Sequence, residues 1–492
     1  MRNEKFQKKI PNHFIRPTTV FVLLCLILAA CQPASVPNRE SAELTLQAEK
    51  TRAPSATKTP RRSPTPTPTP VLTSKLGIDP GELDGIELQF WHPFSGEEGK
   101  ALDALVKEFN TSNEWGITVK SISQGNYDDL FERMGSAINH GDYPNLVLSY
   151  SYQAQAWEAI REILVDLDAY VSDPVWGYTA AEQADFYPVF WEHDMADRGR
   201  IGIPALRSAQ LVYYNTSWAK ELGFSTSPAT PAQFKIQACA AARANRQDAD
   251  SQNDHTGGWI ISTDYPSMLG WFNAFGAEVI RPDGKGYRFN DPEVADTLTF
   301  LRDMYDEGCA WLSDSQFPED EFAARQGLFA IGSPSGIPSQ EDAFADTASK
   351  DEWTVLEFPS PQGKEGIPVY GPSFQILEDD PEEQLASWLL VKWLTSPENQ
   401  ARLAQASKMY PVRASSLEQL GTLTRTYPQW EKSVNFLEQA SSEPPFESWR
   451  LVRWAVSDAA TQLYRSYFTI DQVPSLVKLL DQTANDLHQD DP

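Results

Sequence analysis

The chain is poor in the side chains that bind transition metals. It has four cysteines and six histidines among 492 residues. It contains no Cys-x-x-Cys and no His-Glu-x-x-His sequence, and the histidines after the N-terminal segment are scattered without metal-site spacing. These absences exclude the common zinc and dithiol motifs, and we expect neither a metal nor another cofactor. The scattered histidines are His92, His140, His193, His255 and His488.

Basic residues are also few. Lys and Arg number 41 against 68 Asp and Glu, so the formal net charge is −27. Residues 76–492 are more acidic still, with 29 basic and 64 acidic side chains. Such a surface repels nucleic-acid phosphates and anionic lipid head groups. The charge therefore argues against nucleic acid as a partner and suits a soluble body outside the cell.

An apolar run long enough to cross a membrane is missing from the N-terminal segment. The apolar stretch 20–30 follows five basic residues and is shorter than the roughly 20 residues that a bilayer crossing needs. It ends Leu28-Ala29-Ala30-Cys31, which resembles the lipobox of bacterial lipoproteins. That resemblance implies a signal peptide over residues 1–30 and a lipid anchor on Cys31 at the extracytoplasmic face of the cell membrane. The alternative is ordinary secretion with a free Cys31.

Residues 31–75 form a predicted linker between this anchor and the folded body. Residues 63–70 alternate proline with serine or threonine and have no apolar side chain to bury. Such a segment is expected to be extended and solvated.

The folded body opens with a predicted strand, turn and helix over residues 86–110. Apolar residues alternate over 86–90, which is the period of a strand. They then recur at helical spacing over 102–109. The loop between them, which begins at Trp91, lies at the carboxyl end of the strand, where open α/β sheets bind ligands.

This opening stretch resembles a known family. A strand ending Phe90-Trp91-His92 and a helix ending Phe109-Asn110 are similar to the start of the extracellular solute-binding proteins of bacterial ABC importers, in the branch with the maltose- and glycerol-3-phosphate-binding proteins. Tyr213-Tyr214-Asn215 and Tyr410-Pro411-Val412-Arg413 extend the likeness. It implies a periplasmic-binding-protein-like α/β fold, with two α/β lobes, three crossover segments and a ligand cleft between the lobes.

The resemblance also implies a function. A monomeric binding protein would capture a carbohydrate or a polyol, with phosphorylated polyols such as glycerol-3-phosphate among the candidates, and deliver it to the transmembrane subunits of an ABC permease. It would not be an enzyme. A secreted carbohydrate-active enzyme and a ligand-sensing subunit are the alternatives, because counting carboxylates does not exclude a glycosidase pair. The segment Gly332–Gly336 is not a nucleophile elbow, since Pro334 occupies the serine position.

The crossovers implied by the resemblance divide the body into four parts. They are expected at residues 211–215, 329–336 and 369–376. Lobe one would then comprise residues 76–210 and 331–372. Lobe two would comprise residues 211–330 and a helical part, 373–492.

The resemblance also suggests which side chains face the ligand. Aromatic rings would pack on the C–H surfaces of a polyol, and hydroxyl and guanidinium groups would bind its oxygens. We expect Arg450 to anchor a phosphate if the ligand carries one, and Trp271 to be the main stacking platform. The predicted ligand-binding residues are Trp91, Tyr127, Tyr150, Trp271, Ser335, Gly371 and Arg450.

Two further features concern Cys239, Cys309 and an acidic loop. These cysteines are the only two in the folded body, and an oxidising compartment favours a disulfide between them. Two buried free thiols are the alternative.

The loop 248–259 is rich in carboxylates, but an EF-hand requires glycine at its sixth position and glutamate at its twelfth, where the loop has Asn253 and Trp259. We therefore expect a solvated loop rather than a calcium site.

Overall fold

The computed structural model describes residues 72–196, 198–363 and 366–490. The predicted signal peptide, Cys31 and nearly all of the predicted linker lie outside the described residues. None of the described helices combines the length and the apolar character that a bilayer crossing requires.

The strands are short, and many have only two residues. They are β1 (Glu87–His92), β2 (Thr118–Ser123), β3 (Leu146–Ser149), β4 (Met195–Ala196), β5 (Gly199–Arg200), β6 (Ile203–Pro204), β7 (Ser208–Ala209), β8 (Leu211–Asn215), β9 (Trp259–Ile260), β10 (Ala310–Trp311), β11 (Phe329–Gly332), β12 (Trp353–Leu356), β13 (Pro368–Tyr370), β14 (Ser373–Ile376) and β15 (Ser441–Ser442).

The helices make up most of the regular structure. They are α1 (Gly96–Ser112), α2 (Tyr127–His140), α3 (Ser151–Ile160), α4 (Asp168–Val171), α5 (Ala180–Ala184), α6 (Pro188–Trp191), α7 (Thr216–Glu221), α8 (Pro231–Gln247), α9 (Tyr265–Phe275), α10 (Pro292–Asp306), α11 (Glu319–Ala323), α12 (Ile337–Asp346), α13 (Pro381–Leu394), α14 (Pro397–Ser407), α15 (Gly421–Thr426), α16 (Pro428–Val434), α17 (Trp449–Leu463) and α18 (Val473–Asp490).

The predicted strand–turn–helix at the start of the body is confirmed as β1 and α1. Burial alternates along β1, with Leu88 and Phe90 inside. One face of α1, including Leu105 and Phe109, is buried as the helical spacing predicts. Here the local pattern was sufficient to predict both elements.

Lobe one is built on a sheet with the strand order β2-β1-β3-β14-β6. The first three strands are parallel, and β14 runs antiparallel to both β3 and β6. Helices α13 and α14 pack against α1. The carboxyl ends of β1, β2 and β3 therefore point to one edge of the sheet.

Lobe two has a second sheet with the strand order β10-β9-β11-β8-β12. Strands β9, β10 and β11 are parallel, and β8 is antiparallel to β11 and β12. Helices α9, α10, α17 and α18 pack together on this lobe around a second hydrophobic core. The two α/β lobes agree with the fold class expected from the sequence.

A small third sheet with the order β15-β13-β7 lies where the chain passes between the lobes. The first passage runs from β7 to β8, and the second runs from β13 to β14. The third lies between α14, which packs on α1 of lobe one, and α16, which packs on β12 of lobe two. Because this sheet joins the first two passages to β15, we call it the hinge sheet.

The predicted lobe boundaries are wrong at two segments. The predicted second crossover at 329–336 does not leave lobe two, because the chain continues into α12 and β12, and β12 pairs with β8. Most of residues 331–372 therefore belongs to lobe two rather than lobe one. Residues 373–407 belong to lobe one rather than lobe two, because β14 pairs with β3 and α14 packs on α1. Strand pairing between distant segments decided these assignments, and local periodicity does not encode it.

Helix α8 is linked by a disulfide to the segment that precedes strand β10 of the lobe-two sheet. Thr230 caps the helix, with Pro231 in the first turn and a capping box to Gln233. Cys239 in α8 and Cys309, which precedes β10, are joined by a disulfide in the structure. The carboxylate-rich loop after α8 folds on itself, with Asp248 accepting hydrogen bonds from the backbone of Asp250 and the side chain of Asn253.

Candidate functional site

A large cavity lies at the carboxyl ends of the parallel strands of lobe two. It has a volume of about 960 Å³ and is formed by the loops that follow β9, β10 and β11. Gln210 and Tyr370 reach it from the first and second passages between the lobes, and Trp454 reaches it from α17. The cavity therefore combines the ligand-binding edge of an α/β sheet with residues next to the hinge.

The cavity wall is rich in hydroxyl groups and poor in charge. Among the described residues that line it, Asp264 and Glu319 are the only ones with charged side chains, and none is Lys, Arg or His. Hydroxyls and amides both donate and accept hydrogen bonds, so such a wall suits a neutral ligand with many oxygens. The hydroxyl-bearing residues are Tyr213, Ser262, Thr263, Tyr265, Ser313, Ser315, Ser333, Ser335, Ser339, Tyr370 and Ser457.

The rim of the cavity has large apolar side chains that are exposed. Phe317 is 68% exposed, Trp454 is 53% exposed and Leu312 is 43% exposed. Clustered exposed apolar groups beside a polar cavity are typical of binding sites. Aromatic faces in this position can pack against the C–H surface of a sugar ring.

Gln210 and Asp264 fix the floor of the cavity. Asp264 caps α9 by accepting a hydrogen bond from the Ser267 N–H at 2.7 Å, and it also accepts one from Nε2 of Gln210 at 3.2 Å. Its second carboxylate oxygen accepts a hydrogen bond from Ser262. Oε1 of Gln210 is buried, and none of the described residues supplies it with a hydrogen-bond partner.

Tyr265, which lines the cavity, also belongs to a cluster of aromatic and charged side chains where the lobes meet. We call this cluster the interlobe cluster; it consists of Tyr150, Tyr152, Tyr265, Glu443 and Arg453. Arg453 of lobe two donates a hydrogen bond of 2.5 Å to the hydroxyl of Tyr152 of lobe one. Its guanidinium carbon lies 4.7 Å from the Tyr152 ring centre and 5.4 Å from that of Tyr265. These contacts join lobe one to the wall of the cavity.

Glu443 is the buried acid of this cluster. Only 3% of its surface is exposed, and Oε1 accepts a hydrogen bond from Nε1 of Trp449 at 3.1 Å. Burial raises the pKa of Glu443 to about 7, and it outweighs the opposing effects of the Trp449 hydrogen bond and of Arg453. Burial therefore favours the protonated form of this carboxyl.

Four of the predicted site residues lie at or near these features. Ser335 lines the cavity, and its hydroxyl is 2.9 Å from that of Ser333. Gly371 follows Tyr370 but is packed against the backbone of Leu206, so it shapes the hinge and does not line the cavity. Tyr127 and Tyr150 pack together with ring centres 4.6 Å apart, and Tyr150 stacks on Tyr152.

The other three predicted residues do not line the cavity. Trp271 is completely buried in the core of lobe two, so its predicted role as a stacking platform is wrong for this conformation. Trp91 packs on the hydrophobic cluster beneath α2 and α3. The guanidinium of Arg450 lies over the ring of Phe131 at 4.9 Å. Side-chain direction is set by packing, and the family likeness gave only the approximate position along the chain.

Sequence reasoning missed most of the residues around the cavity and in the cluster. Strands β9 and β10 have two residues each, so no strand pattern marked the loops that follow them. A signal existed for Gln210, which directly precedes a predicted crossover. The missed residues are Gln210, Tyr213, Asp264, Tyr265, Phe317, Tyr370, Glu443, Arg453 and Trp454.

Both the sequence and the fold of the chain resemble those of known proteins. The family model described as bacterial extracellular solute-binding protein matches residues 104–436, which is more than half of the chain. The chain belongs to the bacterial extracellular solute-binding proteins. This family acts outside the cytoplasmic membrane, and its members are binding proteins rather than enzymes.

Individual relatives have low sequence identity to this chain, but they match it over most of its length. The sn-glycerol-3-phosphate-binding periplasmic protein UgpB of Salmonella typhimurium is 21% identical over 357 residues, which is 70% of this chain and 78% of that protein. The sugar-binding protein MalE from Xanthomonas citri has a TM-score of 0.70 at 19% identity, over 82% of this chain and 98% of that one. UgpB from Mycobacterium tuberculosis, in complex with glycerophosphocholine, has a TM-score of 0.64 at 17% identity, over 81% and 98%. These structures support the two-lobe fold of this solute-binding protein.

Proposed function

We propose that this solute-binding protein captures a neutral saccharide of more than one ring and delivers it to the permease of an ABC importer. The observation that carries the proposal is the wall of the lobe-two cavity, which has many hydroxyls, exposed aromatic rings at its rim and, among the described residues, no basic side chain. We further propose that the protein is a monomer and that lipid on Cys31 anchors it to the membrane.

The size of the cavity supports a ligand larger than glycerol phosphate. Its volume of about 960 Å³ lies near the top of the range of about 300–1,000 Å³ that is usual for small-molecule sites. A three-carbon polyol would leave most of this space to water. Several sugar rings could instead contact the floor at Gln210 and the rim at Phe317 and Trp454.

The charge of the cavity argues against a phosphorylated ligand. A buried phosphate is normally held by charge-assisted hydrogen bonds from arginine or lysine. Arg450 was the expected anchor, but its guanidinium lies over Phe131 and it does not line the cavity. The two lining carboxylates, Asp264 and Glu319, would repel a phosphate.

Thermal unfolding with a panel of solutes tests the ligand class. We expect maltotriose to raise the unfolding midpoint, because a ligand that binds only the native state stabilises it by about 2.7 kcal/mol at a hundred times its Kd. Maltose should have a smaller effect than maltotriose because it fills less of the cavity. Glycerol-3-phosphate and glycerophosphocholine should leave the midpoint unchanged.

The same panel contains the contradicting result. If glycerol-3-phosphate raised the unfolding midpoint and no saccharide did, the proposal of a neutral ligand would be rejected. Arg450 would then again be the candidate phosphate anchor. Inorganic phosphate at the same ionic strength is the control for nonspecific effects of salt.

Membrane attachment provides a separate test. We expect Cys31→Ala to prevent acylation, so that the protein is released to the medium or keeps its signal peptide, because the thiol is the acyl acceptor that the lipobox-like sequence predicts. Immunoblots of membrane and medium fractions measure this. Substitution of Cys25, which lies inside the apolar stretch, should leave attachment unchanged. Normal processing and membrane attachment of Cys31→Ala would contradict the lipoprotein assignment.

A further inference from the structure

Glu443 lies at the point where the passages between the lobes meet. It directly follows β15, which pairs with β13, and β13 pairs with β7. The carboxyl is therefore next to the hinge sheet, and its surroundings depend on how the two lobes are arranged.

Groups from both lobes and from the passages face this carboxyl. Lobe two contributes Tyr265 from α9, and Trp449 and Arg453 from α17. Lobe one contributes Tyr150 and Tyr152 beside α3, and also His193, which interacts with the backbone of Glu443. The first and second passages contribute Arg207 and Tyr370.

The carboxyl is incompletely bonded for a buried group. Oε1 accepts the hydrogen bond from Trp449, and the Tyr265 side chain also bonds the carboxyl, but among the described residues Oε2 has no partner with good hydrogen-bond geometry. Within the described part of the chain, Glu443 takes part in no ion pair within 4.0 Å. An unpaired buried carboxylate is costly, whereas the neutral acid is tolerated. The arrangement in which lobe one covers Glu443 therefore favours its protonated form.

We propose that closure of the two lobes takes up a proton on Glu443, so that acidic conditions favour the closed form. Tyr152 of lobe one is held to Arg453 only while the lobes are together. When the lobes part, Tyr150 and Tyr152 move away with lobe one, and water reaches the carboxyl.

The direction of the pH effect follows from the two states. Burial raises the pKa of Glu443 from about 4.5 to about 7 where lobe one covers it, whereas a solvated carboxyl keeps the lower value. Between these values the closed form binds more protons than the open form, so closure weakens as the pH rises. The closed-to-open ratio should fall by up to tenfold per pH unit, on the order of 10²-fold over the whole window.

Small-angle X-ray scattering of the full chain carrying Cys31→Ala measures this equilibrium without any ligand. We expect a smaller radius of gyration at pH 5 than at pH 8. Glu443→Gln has nearly the same shape as the neutral acid, so this variant should be as compact at pH 8 as at pH 5. An unchanged radius in the parent chain, or the same pH dependence in Glu443→Gln, would overturn the proposal.

A matched control is available in Glu383. Its pKa is also raised to about 7, by burial and by Asp379, but it lies on α13 within lobe one. Glu383→Gln should retain the pH-dependent compaction. Loss of compaction in that variant would assign the proton to lobe one and overturn the proposal.

Tyr152→Phe leaves the carboxyl intact and removes only the hydroxyl that accepts from Arg453. We expect this variant to be expanded at pH 5, and compaction equal to that of the parent chain would count against the proposed contact. Because these measurements use no solute, they can fail while the saccharide proposal holds, and they can succeed while it fails.

Discussion

Replacing Arg207 with methionine should lower the free energy of unfolding by about 3–5 kcal/mol, which is the usual cost of removing one partner from a buried ion pair. Arg207 is 1% exposed, and Asp194 is completely buried. Nη2 of Arg207 donates to Oδ2 of Asp194 at 3.1 Å and to the Ser373 hydroxyl at 3.0 Å. The substitution leaves the Asp194 carboxylate in the core without its countercharge.

The same arginine joins two of the passages between the lobes. Nη1 of Arg207, beside the first passage, donates to the carbonyl oxygen of Pro372, beside the second, at 2.6 Å. Its loss should therefore disturb the hinge as well as the core. Urea unfolding followed by tryptophan fluorescence measures the cost, and the denaturant dependence shows whether the transition remains cooperative.

An exposed ion pair serves as the control for Arg207. Arg402 contacts Glu108 at 2.8 Å, but both side chains are nearly half exposed. Arg402→Met should cost less than about 1 kcal/mol, because solvent screens such pairs. Adding Asp194→Leu to Arg207→Met should recover much of the loss, since no buried charge then remains unpaired. If Arg207→Met costs no more than Arg402→Met, the buried pair does not stabilise the fold.

The sequence predicted best where the determining interactions are local. The alternation in β1 and the helical spacing in α1 identified both elements, and Thr230 with Pro231 and Gln233 located the start of α8. The lobe to which a segment belongs depends on pairing between strands far apart in the chain. Strand β14 pairs with β3, which lies more than 220 residues earlier in the chain. The sequence of β14 by itself does not indicate which strand it pairs with. For this reason the boundary at residue 331 was misplaced, and the lobes on either side of the boundary at residue 373 were exchanged.

The residues of the candidate site were likewise predictable only where local sequence determines their position. Ser335 could be predicted because small residues after a strand leave room for a ligand, and it lines the cavity. Glu443 could not, because it follows a strand of two residues and owes its burial to side chains from both lobes. Trp271 was misplaced although a signal was present. Residues 266–272 of α9 are buried on every face, and a helix that is apolar all round is typical of a core.

Trp271 and Trp454 should therefore respond to substitution in opposite ways. Trp271 is packed against four aromatic rings whose centres lie within 5.7 Å, those of Phe234, Trp259, Phe300 and Phe358. Trp271→Ala should lower the free energy of unfolding by about 3–5 kcal/mol, because it removes a large core side chain and leaves a cavity. Trp454 is 53% exposed, and Trp454→Ala should change stability by about 0.5 kcal/mol or less.

Their effects on binding should be reversed. Trp454 lines the rim of the cavity, so Trp454→Ala should weaken calorimetrically measured binding of maltotriose roughly tenfold, which corresponds to about 1.4 kcal/mol of lost contact. Trp271→Phe keeps an aromatic ring in the core and loses part of the indole, including an N–H that has no partner among the described residues, so stability should fall but affinity should be unchanged. Tyr467→Ala controls for the loss of an exposed aromatic side chain, because Tyr467 is 67% exposed and does not line the cavity. Loss of affinity in Trp271→Phe with wild-type affinity in Trp454→Ala would place the stacking platform at Trp271, and the core of lobe two would then have to open to admit the ligand.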